Sequence, residues 1–103
     1  MPISGFQRPL MAWRQESIAK ADARPGIFEL YDQYEAIIYI AASANVKESM
    51  QVLFTQGTAA KPCLNQATHV RFEYVEKPEL ALKNHMIVFK SSSGGQEPEC
   101  NQQ

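Results

Sequence analysis

The side chains in this sequence that could do chemistry are few and scattered. His69 and His85 have no sequence-local partner that defines a catalytic triad or a metal site, and both read as structural or solvated. Cys63, in a Lys-Pro-Cys turn, and Cys100, near the end of a polar tail, are too few and too far from any histidine cluster for zinc. They read as two free thiols in a reducing compartment, with one intermolecular disulfide as the rival. Tyr31 and Tyr34 flank a turn, where an aromatic ring can stack on a base or a partner but more often covers a sheet edge. Glu79 reads as a first-turn acid and an i,i+4 partner of Lys83. No metal ligand set and no cofactor-binding pattern is legible.

These residues depend for their placement on five elements between residues 25 and 90. Gly26–Tyr31 alternates, with Ile27 and Glu29 opposite Phe28 and Leu30, which predicts a strand. Asp32-Gln33-Tyr34 is a tight turn, and 35–42 is a β-branched and aromatic run, apolar on both faces, that fits a strand central to its sheet. Ile27, Phe28, Ile38 and Ile40 supply the core of this hairpin. Asn45 is a good N-cap, with Glu48 placed to reach back as in a capping box. Val46, Met50, Leu53 and Phe54 form one helical stripe ending before Gly57, the expected stop. A third strand over 68–76 carries Val70, Phe72 and Tyr74 on one side and Arg71 and Glu73 on the other. Lys77-Pro78-Glu79 opens a closing helix so apolar (Leu80, Ala81, Leu82, Met86–Phe89) that it should be buried or clamped between layers.

The expected class is therefore α+β, a small three-stranded, mostly antiparallel sheet flanked by helices in the order β-β-α-β-α. Residues 1–24 form an N-terminal extension with a short helix anchored by Leu10, Trp13 and Ile18. Residues 91–103, with Ser-Ser-Ser-Gly-Gly followed by QEPECNQQ, are expected to be a flexible polar tail. With 103 residues, 45% of them hydrophobic and 20% charged, the chain is one ordinary globular domain. Ten Lys and Arg against eleven Asp and Glu leave a net charge of -1, so no global field attracts nucleic acid or a membrane surface. The longest apolar run, 36–42, is far below the ~20 residues of a membrane span, and MPISGFQRPL lacks the apolar stretch of a signal peptide. The expected location is cytoplasmic, with no membrane partner.

Gly26-Ile27-Phe28, a hairpin, Tyr39-Ile40-Ala41 and then a small polar segment ending in Asn45 before a helix together resemble the signature of the GIY-YIG nuclease superfamily. The resemblance covers about residues 25–89. It implies a cleft in which the first-motif Tyr helps to activate water, a helix Arg stabilises phosphate charge and a Glu of the second helix holds a divalent metal. Carried over residue by residue, the Tyr becomes Phe28, which has no hydroxyl, and the Arg becomes Ser49, too short and uncharged for a phosphate clamp. The Glu becomes Lys83, whose ammonium repels a divalent cation. Only Tyr39 survives among the polar cleft positions, and the last motif Gly is Ala41. The resemblance thus implies a degenerate domain, a pseudoenzyme without cofactor or metal. Its vestigial cleft of Phe28, Tyr39, Ser49 and Lys83 would serve a protein partner or self-association. One alternative is a nucleic-acid-binding module with Lys83, Lys47 and Tyr39 at the old phosphate site. The other is an active endonuclease with rearranged residues, such as Glu79 or Glu48 with a histidine.

Overall fold

The computed structural model describes residues 10–102. The chain runs β1 (Met11–Ala12), α1 (Gln15–Ala19), β2 (Gly26–Tyr31), β3 (Ile37–Ser43), α2 (Val46–Ala60), a 3-10 turn (Pro62–Gln66), β4 (His69–Tyr74), α3 (Pro78–Ser92) and a second 3-10 turn (Glu99–Asn101). The strands form one antiparallel sheet in the order β1-β4-β2-β3. The α+β class therefore holds, but the sheet has four strands rather than three. The addition is β1, which pairs Met11 with Val70 and Ala12 with His69 where a helix was expected to begin. Two residues carry too little periodicity for sequence to reveal a strand.

The interior strands are β4 and β2, the latter buried along its whole length, and β3 lies at the sheet edge, contrary to the central position its two-sided apolarity suggests. Covering layers explain the pattern. Phe28 and Leu30 join Val46 and Met50 of α2, together with Ile18, Val70 and Phe72, in one core on the first face. On the opposite face Glu29 meets His85 of α3. Helices on both faces make an edge strand as apolar as a central one.

The hairpin turn is fixed by Asp32, whose Oδ1 accepts from the amides of Tyr34 and Ala36 at 2.9 and 3.0 Å. Asn45 caps α2 by accepting from Glu48 N at 3.0 Å. Gly57 does not stop this helix, which continues to Ala60. Its bare Cα instead lets Leu53 and Leu64 close over it, since a Cβ would come within 2.8 Å of Leu53 Cδ1 and 3.3 Å of Leu64 Cδ1. Nor is α3 buried all round, because Leu80, Ile87 and Val88 remain exposed.

The C-terminal residues depart most from expectation. A disulfide joins Cys63 to Cys100, so neither cysteine is a free thiol. Pro98 and Cys100 are fully buried, and Lys61 Nζ donates to the Cys100 carbonyl at 3.2 Å. The segment expected to be a flexible tail first extends α3 and then folds back along β3. A polar stretch gains no hydrophobic anchor from its own sequence; the covalent cross-link supplies one by closing a loop of 37 residues.

Gly26 explains its own identity. A Cβ there would run into the Glu73 carbonyl oxygen and come within 2.9 Å of Val46 Cγ2 and 3.0 Å of Tyr74 Cα. Because the obstacle is backbone of the neighbouring strand, it cannot rotate away. Gly26→Ala is expected to lower the unfolding free energy by about 1–3 kcal/mol, the cost of overpacking, as measured by urea denaturation. An unchanged denaturation midpoint would show that β2 and β4 can separate at no cost.

Candidate functional site

The register of the β2–β3 hairpin assembles the first candidate site. Phe28 lies opposite Ala41 and Leu30 opposite Tyr39, so the Phe28 and Tyr39 side chains share one face, with ring centroids 6.3 Å apart. The N-terminal half of α2 crosses that face. Between helix and sheet lies a cleft of about 280 Å³ lined by Phe28, Tyr39, Ala41 and Ala42 on one wall and by Glu48, Ser49, Val52 and Leu53 on the other.

The structure thus brings Phe28, Tyr39 and Ser49 together. It does not bring Lys83 with them. Lys83 lies on the outer part of α3 and lines a separate shallow depression with Glu79, Leu82, Met86, Ile87 and Lys90. The separation follows from topology, because α2 and α3 cover opposite faces of the sheet. Lys47 is not among the described lining of the cleft.

The serine hydroxyl in the cleft is already engaged. Ser49 Oγ and Ser43 Oγ share a hydrogen bond at 2.5 Å, and Ser43 Oγ also accepts from Asn45 N at 2.9 Å. Ser49 therefore helps to tie the start of α2 to the end of β3. Burial raises the Tyr39 phenol above its ordinary value of about 10, so it stays a neutral hydrogen-bonding group beyond the pH at which a free phenol ionises. The cation nearest this ring among the described contacts is Lys61, whose Nζ sits 5.7 Å from the centroid while also donating to Cys100 O. Sequence reasoning passed over Lys61, whose only signal was its place in the Lys-Pro-Cys turn.

A second polar cluster lies on the opposite face. Glu29 is fully buried, accepts a hydrogen bond from Tyr31 Oη at 2.5 Å and has its other oxygen 3.8 Å from His85 Nδ1. Arg71, directly across the register from Glu29, places its guanidinium 5.7 Å from the Tyr31 ring centroid. Burial, the hydrogen bond to Glu29 and the negative charge of that carboxylate push the Tyr31 phenol well above its ordinary value, and Arg71 pulls the other way. His85, read as structural from sequence, here contacts a buried acid. The alternation of β2 placed Glu29 opposite Phe28, but only the covering helix makes that position interior. His69, in contrast, stays at the surface end of β4, its Nδ1 2.9 Å from Thr68 Oγ1.

Among the described residues, no group of three or more His, Cys, Asp or Glu is placed to hold a metal ion. No described helix is long and apolar enough to cross a membrane. Compared with known proteins, the chain matches no family model and no curated protein.

The two raised tyrosines fix a pH dependence and its sign. Each keeps its proton in the folded state at a pH where the unfolded chain has lost it, so the stabilisation is complete below about pH 10 and declines as pH rises above that value. Urea denaturation from pH 8 to 11 is expected to show stability falling above about pH 10, with the fall reduced in Tyr31→Phe and Tyr39→Phe. A flat profile in the wild type would contradict the burial of both phenols.

Proposed function

We propose that this chain is a catalytically inactive, GIY-YIG-like domain whose cleft between β2, β3 and α2 serves as a protein-interaction site. The observation that carries the reading is the lining of that cleft. Five of its eight residues, Phe28, Ala41, Ala42, Val52 and Leu53, present apolar groups, and Val52 is half exposed at the rim. Such a surface suits an apolar side chain of a partner better than a phosphodiester, whose recognition requires cations and donors aimed at oxygen. The hydroxyls at hand are Ser49, held by Ser43, and Tyr39, a neutral phenol that burial makes still harder to ionise.

Support for the resemblance comes from the arrangement of the motif strands. Gly26-Ile27-Phe28 lies on a strand that pairs antiparallel with the strand carrying Tyr39-Ile40-Ala41, with Phe28 opposite Ala41, and Asn45 caps the following helix. Gly26 is also a position where backbone of β4 excludes any side chain. These features serve folding, which is how a nuclease signature can outlast the chemistry.

A second reading, binding of single-stranded nucleic acid, is favoured by one observation: Lys61 sits beside the Tyr39 ring, a pairing of cation and stacking platform. Lys61 is, however, also bound to the Cys100 carbonyl.

A random peptide library displayed on phage and selected against the full chain tests the first reading. Selected peptides are expected to share an apolar anchor, and Val52→Asp is expected to weaken their binding by roughly tenfold or more, the cost of setting an unpaired carboxylate at an apolar contact. Peptides that bind Val52→Asp as tightly as the wild type would place the interaction elsewhere.

A further inference from the structure

The outer edge of β3 is closed by a side chain. Asn101 Oδ1 accepts from the Ile40 amide at 2.8 Å, and Asn101 Nδ2 donates to the Ile40 carbonyl at 2.9 Å. The carboxamide thereby takes both backbone hydrogen bonds that a neighbouring strand would make at this residue. The adjacent residue is Cys100, so the cap is held in place by the Cys63–Cys100 disulfide. Beneath it, Ile37–Ser43 contains no charged residue and no proline. Charge and proline are two devices by which edge strands discourage pairing; this edge has neither, and the register shift at Ile38 leaves residues 39–43 regularly paired with β2.

We propose that the Cys63–Cys100 disulfide is a latch over the β3 edge, and that its reduction exposes this edge for antiparallel pairing with the same edge of a second copy of this chain. The proposal goes beyond the interaction role given above, because it concerns the β3 edge and not the cleft. The occupant follows from the strand itself. An uncharged strand with a free edge fits another uncharged strand, and antiparallel pairing about a two-fold axis lets the same seven residues supply both sides. The chemistry is a thiol–disulfide exchange with a dithiol reductant. One thiolate of the reductant attacks Sγ of Cys63, the less buried of the two cysteines, and Cys100 leaves as a thiolate. The second thiolate of the reductant then resolves the mixed disulfide. The products are two protein thiols and the oxidised, cyclic reductant, with two electrons transferred and two protons taken up. After that, the Glu99–Asn101 turn is held only by non-covalent contacts, among them those of Asn101, the Lys61 bond to Cys100 and a 3.2 Å bond from Gln66 to Glu99.

Amide hydrogen exchange at Ile40, followed by NMR on the full chain with and without a dithiol reductant, reads the latch directly. In dilute protein, reduction is expected to speed Ile40 exchange by roughly tenfold or more while amides bonded between β2 and β4 stay protected. As concentration rises into the millimolar range, the reduced protein is expected to double in mass by light scattering and to regain protection at Ile40, whereas the oxidised protein remains a monomer. Cys100→Ser is expected to behave as reduced wild type without reductant. Unchanged Ile40 exchange on reduction overturns the proposal, as does a reduced protein that stays monomeric or a dimer that leaves Ile40 unprotected. Because the wild type is compared with itself, a variant that fails to fold does not affect the result. No peptide or nucleic acid enters the measurement, so its failure is separate from failure of the cleft to bind a partner.

Discussion

The Gly26–Tyr31 strand hydrogen-bonds to β3 on one side and to β4 on the other, and it is buried throughout. Both faces must therefore be covered, and the alternation of side chains decides by what. Phe28 and Leu30 project toward the core shared with α2, whereas Glu29 projects toward α3. A carboxylate in that position needs polar company, which Tyr31 and His85 supply. Gly26 completes the constraint by letting β4 approach more closely than any side chain would allow.

From this arrangement come two surfaces with different characters. The α2 side carries the cleft around Phe28 and Tyr39, mostly apolar and with its serine hydroxyls tied to each other. The edge beside it is closed by Asn101, and Lys61 links the two, lying near the Tyr39 ring while bonded to the Cys100 carbonyl. The C-terminal segment thus borders the candidate site as well as the sheet edge. An interaction role for the cleft and a latch over β3 are separate proposals that meet at Lys61.

Much of the fold was legible because local signals and burial agreed. The alternation of Gly26–Tyr31 and of Val70, Phe72 and Tyr74, and the cap at Asn45, each appear where spacing placed them. The misses have specific causes. Gly57 reads as a helix stop by its propensity, but its packing role beneath Leu53 and Leu64 depends on the later turn. The β3 run is apolar on both faces because helices cover both, and periodicity does not separate that case from a central strand. The C-terminal residues carry no large apolar anchor, and pairing of Cys63 with Cys100 is a fact of tertiary geometry. Of the four residues that the resemblance implied for a cleft, three converge, while Lys83 belongs to a helix on the other side of the sheet. Which face a helix covers is set by how its connection crosses the sheet, and residue spacing along the chain carries no record of that.

The central claim, that the cleft now serves a protein rather than a phosphodiester, is tested most directly by titrating the isotope-labelled full chain with short single-stranded and duplex DNA at low salt, with and without magnesium. The account predicts no progressive amide shifts at Phe28, Tyr39, Ser49 or Lys61 and no cleavage of either DNA. Shifts at those residues that weaken steeply with added salt, or metal-dependent cleavage, would contradict it.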